Sequence, residues 1–347
     1  MKIFNAVGDF FALDIGATSL RVVQLKKTGH TWSLVRYGLS PIDVKIAMSD
    51  AVEDQRKIGD AIIALISQVG LSTTNMVVGI PSNKMFATVV DLPHLSKQEL
   101  ASTIKYQEDQ YIPIPIGEAK VDWAVLGPSP REQQKDEVLL AGVTNKFSEQ
   151  RLDLLEGLGF NVVAIEPDAL ALTRALIPIG NADPMIILDL GDYATDLVIV
   201  VGGAPRLIRS IPVGSKTFIK AAVQTLNIDE GQAQQFIYKF GLHQDKLEGQ
   251  IFRAVESTLD QLYAEFEKSV KFYQTRYPNS PLRSAVLSGA AAVIPGFGDH
   301  ITHKSGLPVV IGNAWQNVSY PGNMHEDLMK LASTFSVAVG LAERNNG

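Results

Sequence analysis

Hydrophobic and polar positions alternate along the chain in a pattern that predicts buried strands followed by amphipathic helices. Apolar residues fill 11–13, 20–25 and 76–80 almost without interruption, as they do in buried strands. Residues 58–69 and 250–277 instead carry apolar side chains at helical spacing. This alternation of strand and helix signals is typical of an α/β architecture.

The stretch 82–164 has a different pattern. Ser96 and Glu99 form a capping box that opens a helix, and this helix must end before Pro113. Strands are predicted on either side of a charged, Pro-containing loop, the first of them around Trp123, and a further helix and strand follow. We therefore predict a small inserted α+β module.

Internal repetition is the most informative feature of the sequence. Residues 12–23 and 187–198 each contain an aliphatic strand, an Asp-x-Gly turn, hydroxyl-bearing residues and a second aliphatic strand. The second turn is predicted to be two residues longer than the first. Glycine lets backbone N–H groups approach phosphate oxygens, and a carboxylate at a strand end can hold hydrated Mg²⁺. A single turn of this kind is common in structural hairpins, but two in register predict a nucleotide gripped from two lobes.

Two further segments support a nucleotide site. Residues 285–296 predict a strand, a turn of small residues and a helix start, against which an adenine or ribose could pack. Glu166 precedes a helix that opens at Pro167, and this places its carboxylate near the predicted cleft floor, where it could position a water.

Composition excludes several other functions. The formal net charge is -6 and no more than two basic residues are adjacent, so no nucleic-acid footprint is expected. The absence of cysteine excludes disulfides and thiolate chemistry and accords with a reducing cytoplasm. No stretch reaches the roughly 18 uncharged apolar residues that a membrane-spanning helix needs. We therefore expect a cytoplasmic protein.

The two phosphate turns, the connecting helix and the adenosine turn resemble the fingerprint of the actin, hexokinase and heat-shock-chaperone superfamily. Within it, residues 92–100, 106–115 and 125–128 resemble the PilM family of type IV pilus assembly proteins, relatives of the division protein FtsA. The likeness extends from Phe11 to Glu343. It implies an actin-like, ribonuclease H-like α/β fold of two lobes with an inserted α+β subdomain called 1C.

The resemblance also implies a division into four subdomains. Subdomain 1A would comprise 1–81, 165–183 and 333–347, subdomain 1C 82–164, subdomain 2A 184–220 with 282–332, and subdomain 2B 221–281.

By the same resemblance, ATP with Mg²⁺ would lie between the lobes. Asp14 and Asp189 would hold the metal through water. The residues expected around the nucleotide are Gly16, Ala17, Thr18, Ser19, Gly191, Asp192, Tyr193, Ala194 and Thr195 at the phosphates, and Gly214, Lys216, Ser288, Gly289 and Ala290 near the nucleoside.

The implied partner is the short cytoplasmic N-terminal tail of the inner-membrane protein PilN, docked in a groove between subdomains 1A and 1C. Tyr111, Ile112 and Pro113 are candidates for this groove, because Pro-stiffened apolar segments suit recognition of an extended peptide. A buried turn inside the module is an equally good interpretation of this segment. Contact with the membrane and with the pilus motor ATPases would be indirect, through partner proteins, and self-association is a further expectation.

Two other functions stay open at this point. A small-molecule kinase of the same superfamily would need a catalytic base and a polar substrate pocket. The apolar, Pro-containing module occupies the position of the substrate subdomain and favours a protein partner instead. An FtsA-like division protein would be expected to end in an amphipathic membrane helix, whereas this sequence stops at 342–347 without one.

Overall fold

The computed structural model describes residues 9–29, 31–115 and 117–344, with the side chains of 108 and 109 left aside. The strands are β1 (Phe11–Ile15), β2 (Ser19–Thr28), β3 (Thr31–Pro41), β4 (Asn75–Ile80), β5 (Met85–Pro93), β6 (Ala119–Pro128), β7 (Lys135–Thr144), β8 (Asn161–Pro167), β9 (Met185–Leu190), β10 (Thr195–Val201), β11 (Ala204–Ile211), β12 (Ser284–Ser288), β13 (Val309–Ile311) and β14 (Val318–Ser319).

The helices are α1 (Val44–Ala47), α2 (Val52–Val69), α3 (Lys97–Tyr111), α4 (Asn145–Gly157), α5 (Asp168–Leu176), α6 (Ser215–Leu226), α7 (Glu230–Phe240), α8 (Gln250–Arg276), α9 (Phe297–Ser305), α10 (His325–Lys330) and α11 (Ser336–Ala342). Short 3₁₀ turns occur at Ser82–Lys84, Leu247–Gly249, Ala290–Val293 and Gly322–Met324. Across the described ranges, no helix is both long and apolar enough to cross a membrane.

The chain forms two compact units. Unit 1 comprises Met1–Ala175, Ala314–Leu331 and Phe335–Gly347, and unit 2 comprises Leu176–Asn313 and Ala332–Thr334. Unit 1 contains a six-stranded sheet in the order β14-β3-β2-β1-β4-β8. Helix α2 covers one face of this sheet and buries the predicted apolar stripe, including Ile58, Ile62 and Leu65.

A three-stranded antiparallel sheet, in the order β5-β7-β6, also belongs to unit 1. Helix α3 packs on it around Leu100 and Ile104, which share a core with Leu92 and Leu140. This sheet and its helices lie within 82–164, where the sequence predicts an α+β module. The outer limits of the four subdomains stay a prediction.

Unit 2 contains a five-stranded sheet in the order β11-β10-β9-β12-β13. The long helix predicted over 250–277 is present as α8. Its buried positions recur at helical spacing (Val255, Leu259, Leu262 and Phe266) and pack in one core with the strands. The apolar stripe predicted from the sequence is thus a core surface of this unit.

Residues 314–331 lie in unit 1, whereas the sequence assigned them to subdomain 2A. Strand β14 pairs in parallel with β3, with Val318 opposite Trp32. The Trp315 ring lies edge-on to Tyr37 with centroids 6.0 Å apart, and its Nε1 donates to the Leu328 carbonyl at 3.0 Å. The segment belongs to unit 1 because its backbone pairing and its buried tryptophan are both satisfied there.

Candidate functional site

The first Asp-x-Gly turn joins β1 to β2 in unit 1. The Gly16 amide donates to the Ser19 carbonyl at 3.0 Å and closes the turn. A Cβ at Gly16 would lie 3.0 Å from both that carbonyl oxygen and Nη1 of Arg21, so the position suits glycine. Asp14 lies directly opposite Arg21 in the hairpin, and Nη1 of Arg21 donates to Oδ2 of Asp14 at 2.8 Å. Both side chains are mostly buried, and their opposite charges compensate each other beside the turn.

The second turn joins β9 to β10 in unit 2 and closes in the same way. The Gly191 amide donates to the Ala194 carbonyl, again three residues later, at 2.9 Å. Leu190 pairs with Thr195, as Ile15 pairs with Leu20 in the first turn. The two turns therefore have the same length, and the prediction of two extra residues in the second is wrong. The sequence comparison aligned the hydroxyl-bearing residues of the two turns, and this alignment gave the wrong register.

The N-terminus of α6 packs against the second turn. The amides of Ser215 and Lys216 donate to the carbonyls of Gly191 and Asp192 at 3.0 and 2.9 Å. The Ser215 hydroxyl donates to Oδ1 of Asp192 at 2.9 Å. A Cβ at Gly214 would lie 2.5 Å from the Asp192 carbonyl, so only glycine permits this approach.

Lys216 is held in an ion pair next to this turn. Its Nζ lies 2.7 Å from Oε1 of Glu230, the first residue of α7. This hydrogen bond raises the pKa of the Lys216 ammonium, so the side chain is charged at neutral pH. Thr195, also predicted to meet phosphate, is fully buried and its hydroxyl donates to the Val213 carbonyl at 2.7 Å.

The predicted adenosine turn lies beside the second phosphate turn, because β12 pairs with β9 and Ser288 is opposite Asp189. Gly289 has a φ of 85°, and a Cβ there would lie 2.3 Å from the Leu190 carbonyl. Its amide donates to the Ser333 carbonyl at 2.8 Å, and Ala290 begins a 3₁₀ turn. Both the positive φ and the close backbone approach require glycine here.

Glu166 has a different environment from the one predicted. Its carboxylate is 2% exposed and forms ion pairs with Arg174 through Oε1 and with Arg344 through Oε2. Arg174 also donates to the Gly340 carbonyl on α11. Because guanidinium groups occupy both oxygens, the geometry indicates a structural role in joining β8, α5 and α11 rather than the predicted positioning of a water.

Glu343 is a second buried carboxyl group in the same part of unit 1. It is 2% exposed, and burial raises its pKa to about 8, against the opposing effects of the Arg174 charge and a hydrogen bond from Asn317. Within the residues that the structure describes, its Oε1 has no hydrogen-bond partner. The Glu343 carboxyl is therefore mostly protonated at neutral pH.

The segment Tyr111–Pro113 follows α3 in the three-stranded module. Tyr111 is half-buried, and its hydroxyl donates to Oε1 of Gln107 at 3.1 Å. Ile112 is 2% exposed and belongs to the module core, whereas Pro113 is exposed. A peptide on this surface would therefore meet Tyr111 and Pro113, and Ile112 would support them from below.

A pocket of about 350 Å³ lies nearby in unit 1. It is lined by Asp50, by the 3₁₀ turn before β5 and the first residues of β5, by Ile114, and by the end of β7 with α4. The lining residues are Asp50, Asn83, Lys84, Met85, Phe86, Ile114, Thr144, Lys146, Phe147 and Gln150. Nζ of Lys84 and Cζ of Arg151 lie 5.9 and 5.4 Å from the Phe147 ring centroid, so two cations flank the ring.

The structure thus brings the predicted nucleotide residues into two groups. Asp14 to Ser19 form one hairpin in unit 1, and Asp189 to Thr195 share one corner of unit 2 with Gly214, Lys216 and Ser288 to Ala290. Sequence reasoning missed the ion pair of Arg21 with Asp14, although their symmetric placement around the turn signals it. It also missed the pocket residues of α4, which no local pattern connects to β5.

The sheet orders and the pair of glycine-closed turns define an actin-like α/β fold. Solved structures share it across nearly their whole length. One is described as a PilM–PilN type IV pilus biogenesis complex, at a TM-score of 0.83 and 22% identity, covering 97% of this chain and 98% of that one. Others are the ethanolamine utilization protein EutJ from Carboxydothermus hydrogenoformans (TM-score 0.57, 14% identity, 97% and 91% covered) and MreB5 of Spiroplasma citri bound to AMPPNP (TM-score 0.54, 13% identity, 95% and 94% covered).

The family model for type IV pilus assembly protein PilM matches residues 12–346. This match spans nearly the whole sequence. The chain therefore belongs to the PilM family of type IV pilus assembly proteins, as its motifs predicted.

Proposed function

We propose that this protein is a nucleotide-binding scaffold of type IV pilus assembly that captures the N-terminal cytoplasmic tail of PilN. The observation that carries the proposal is the pocket beside Phe147, which is lined by residues of the predicted module 82–164 and, outside it, by Asp50. The structural relative described as a PilM–PilN complex supports the choice of partner. The protein would then act at the inner face of the inner membrane through its partners and would reach the pilus motor ATPases indirectly.

The pocket has features that suit an extended peptide. Ile114 and Phe86 provide apolar surface, whereas Asn83 and Gln150 provide amide groups that can pair with a peptide backbone. Pro113 and Pro115 limit the flexibility of the segment that borders it, which lowers the ordering cost of binding. Tyr111 and Pro113 would extend the contact beyond the pocket.

We further propose that the chain binds ATP with Mg²⁺. The first turn suits phosphate oxygens, because it carries the hydroxyl residues Thr18 and Ser19 and has the Arg21 guanidinium beside it. Nε of Arg21 is buried and has no hydrogen-bond partner within the described residues, so its N–H can still donate a hydrogen bond to a ligand. When bound, Mg²⁺-ATP would supply charge-balanced phosphates, and in unit 1 the turn amides and hydroxyls would meet them with Asp14 on the metal side. In the turn of unit 2, Asp189 stands at the corresponding strand position.

In unit 2, the residues that would hold the nucleoside are Gly214, Lys216, Ser288, Gly289 and Ala290. Gly214 and Gly289 are positions where any Cβ would collide with the chain's own backbone, so only glycine lets these segments pack this closely against the second turn. The MreB5 structure with bound AMPPNP shows the same fold class with a nucleotide analogue and supports this part of the proposal.

The peptide proposal is tested by fluorescence anisotropy with a labelled peptide of the PilN N-terminal tail. We expect micromolar binding that weakens at least about tenfold in Gln150→Arg, because the longer charged side chain fills the pocket from an exposed position of α4. Gln133→Arg, the same change in the exposed β6–β7 loop, is the matched control and should bind normally. Equal affinity in all three proteins would exclude this pocket, and no binding at all would exclude the PilN tail as the partner.

A further inference from the structure

Strand β6 forms one edge of the three-stranded sheet in unit 1. The sheet has the order β5-β7-β6, and in the part of the chain that the structure describes no strand pairs with the outer side of β6. The strand has 10 residues, which is longer than the roughly five or six that are typical of strands. An open strand edge presents unpaired N–H and C=O groups and is therefore a template for pairing with another chain.

The regular part of this edge ends before the strand does. A bulge between Val125 and Gly127 interrupts the pairing of β6 with β7. Gly127 has a φ of 121°, which only glycine adopts readily. Bulges of this kind end or redirect strand pairing. Residues 119–125 are therefore the part of the edge on which another strand can pair.

The side chains of this edge alternate between the two faces of the sheet. Val121 and Trp123 are half-buried and pack with the core of the module. Lys120 and Asp122 are exposed, two positions apart and opposite in charge. Nζ of Lys120 lies 3.8 Å from Oε1 of Glu149, and the two side chains are 50% and 61% exposed, so this contact is weak. Oδ1 of Asp122 accepts from the Trp123 amide at 2.8 Å, and a carboxylate can accept further hydrogen bonds.

A second copy of the same strand can pair with this edge in few registers. In an antiparallel pair, the N–H and C=O groups point outward at every second residue. Opposite residues of two identical strands must therefore belong to the same alternating set. It follows that the two-fold axis of such a pair passes through a residue, which lies opposite itself.

The charges distinguish these registers. An axis at Asp122 would pair the whole of 119–125 but would place two carboxylates directly opposite each other, which is unfavourable. An axis at Trp123 would place Asp122 opposite the uncharged Ala124. An axis at Val121 places Lys120 of each copy opposite Asp122 of the other, so the edge is complementary in charge to itself.

We propose that β6 joins two copies of this chain in a symmetric dimer whose two-fold axis passes through Val121. The two three-stranded sheets then form one continuous sheet, and two ion pairs between Lys120 and Asp122 flank the axis. Only 119–123 of each copy are paired, so the interface is small and the dissociation constant is on the order of 100 micromolar. The inference rests on neither the nucleotide proposal nor the peptide proposal.

Disulfide crosslinking tests the position of the axis. The chain contains no cysteine, so one introduced thiol reports on one contact. Val121→Cys places two thiols opposite each other with Cα atoms about 5 Å apart, which is within the range of a disulfide. Ala124→Cys, on the same strand, lies opposite residue 118 in this register and is the matched control. We expect mild oxidation to give a covalent dimer of Val121→Cys and to leave Ala124→Cys monomeric.

Charge exchange tests the register independently, with sedimentation velocity as the measurement. Lys120→Glu and Asp122→Lys each place like charges opposite each other twice per dimer, so each should raise the dissociation constant at least about fivefold. The double variant restores two pairs of opposite charge and should return the constant to within about twofold of the unmodified chain. Lys105→Glu, on the exposed side of α3, is the control for charge alone and should have no effect.

The unmodified chain gives the first decisive result, because it needs no variant to fold. A single monomeric species at about 500 micromolar would overturn the proposal. A dimer that the two single charge variants do not weaken, or that the double variant does not restore, would overturn it as well, since the contact would lie elsewhere or in another register. Equal crosslinking of Val121→Cys and Ala124→Cys would have the same meaning. Thermal midpoints of all variants confirm that they are folded.

Discussion

Replacing Glu343 with glutamine should stabilise the protein above neutral pH. Glu343→Gln keeps the size of a side chain that is 2% exposed but removes its ionisation. Burial raises the pKa of this carboxyl in the folded protein to about 8 from an ordinary value of 4.5. Because the folded state holds the proton more tightly than the unfolded state, its contribution to stability is complete below pH 4.5 and is lost as the pH rises to about 8.

The size of the effect follows from these two pKa values. Each pH unit between them lowers the free energy of unfolding by about 1.4 kcal/mol, so the group costs about 4 kcal/mol at pH 7.5. Glutamine carries no such cost. We expect the free-energy difference between the variant and the unmodified protein to widen by about 2 to 3 kcal/mol from pH 6 to pH 8.

Urea denaturation at half-unit pH steps measures this difference directly. Using the change with pH, rather than the stability at one pH, cancels any altered contact to Arg174 or Asn317. Glu326→Gln is the matched control, because that carboxylate is 85% exposed on α10 and pairs with Lys330 at 2.8 Å. A constant gap between Glu343→Gln and the unmodified protein over this range would refute the reasoning, since it would mean that Glu343 ionises in the folded state as readily as in the unfolded one.

Three more substitutions test the packing and the ion pairs of unit 1. Gly340→Ala should lower the free energy of unfolding by about 3 kcal/mol or more, because its Cβ would lie 2.0 Å from the Ala171 carbonyl. Gly157→Ala, with nothing within 4 Å of its Cβ, should be neutral or stabilise by up to about 1 kcal/mol, and equal urea midpoints for the two would contradict this account. Arg174→Ala should cost about 2 to 4 kcal/mol by removing one partner of the buried Glu166, and a thermal midpoint unchanged from the parent would contradict a structural ion pair.

Much of the fold could be predicted because its signals are local and periodic. The strands around the two Asp-x-Gly turns are continuous apolar runs, and α8 buries the side chains that its helical spacing marks. The PilM resemblance then connected these elements into one architecture. The sequence did not assign 314–331 to unit 1. The two-residue strand Val318–Ser319 has no recognisable period, and its partner strand lies almost 300 residues earlier in the chain.

The site was less predictable for a different reason. Which residues flank a turn depends on strand register, and register changes the partner of every side chain. Aligning hydroxyl residues paired Thr18 with Thr195, whereas the backbone hydrogen bonds place Thr18 with Tyr193. The sequence also did not reveal the partners of Glu166, because Arg344 lies at the far end of the chain and no spacing rule connects these two residues.

The interleaved course of unit 1 has a consequence for biosynthesis. Helix α11 packs against β1, β2 and β4, yet it is synthesised after all of unit 2. The five strands of the six-stranded sheet that precede unit 2 must therefore wait, with part of their apolar face uncovered, while unit 2 can complete its own core. At the usual elongation rate of about 5 to 20 residues per second this delay lasts on the order of ten seconds or more. Unit 1 is thus the unit that begins synthesis first and closes its core last.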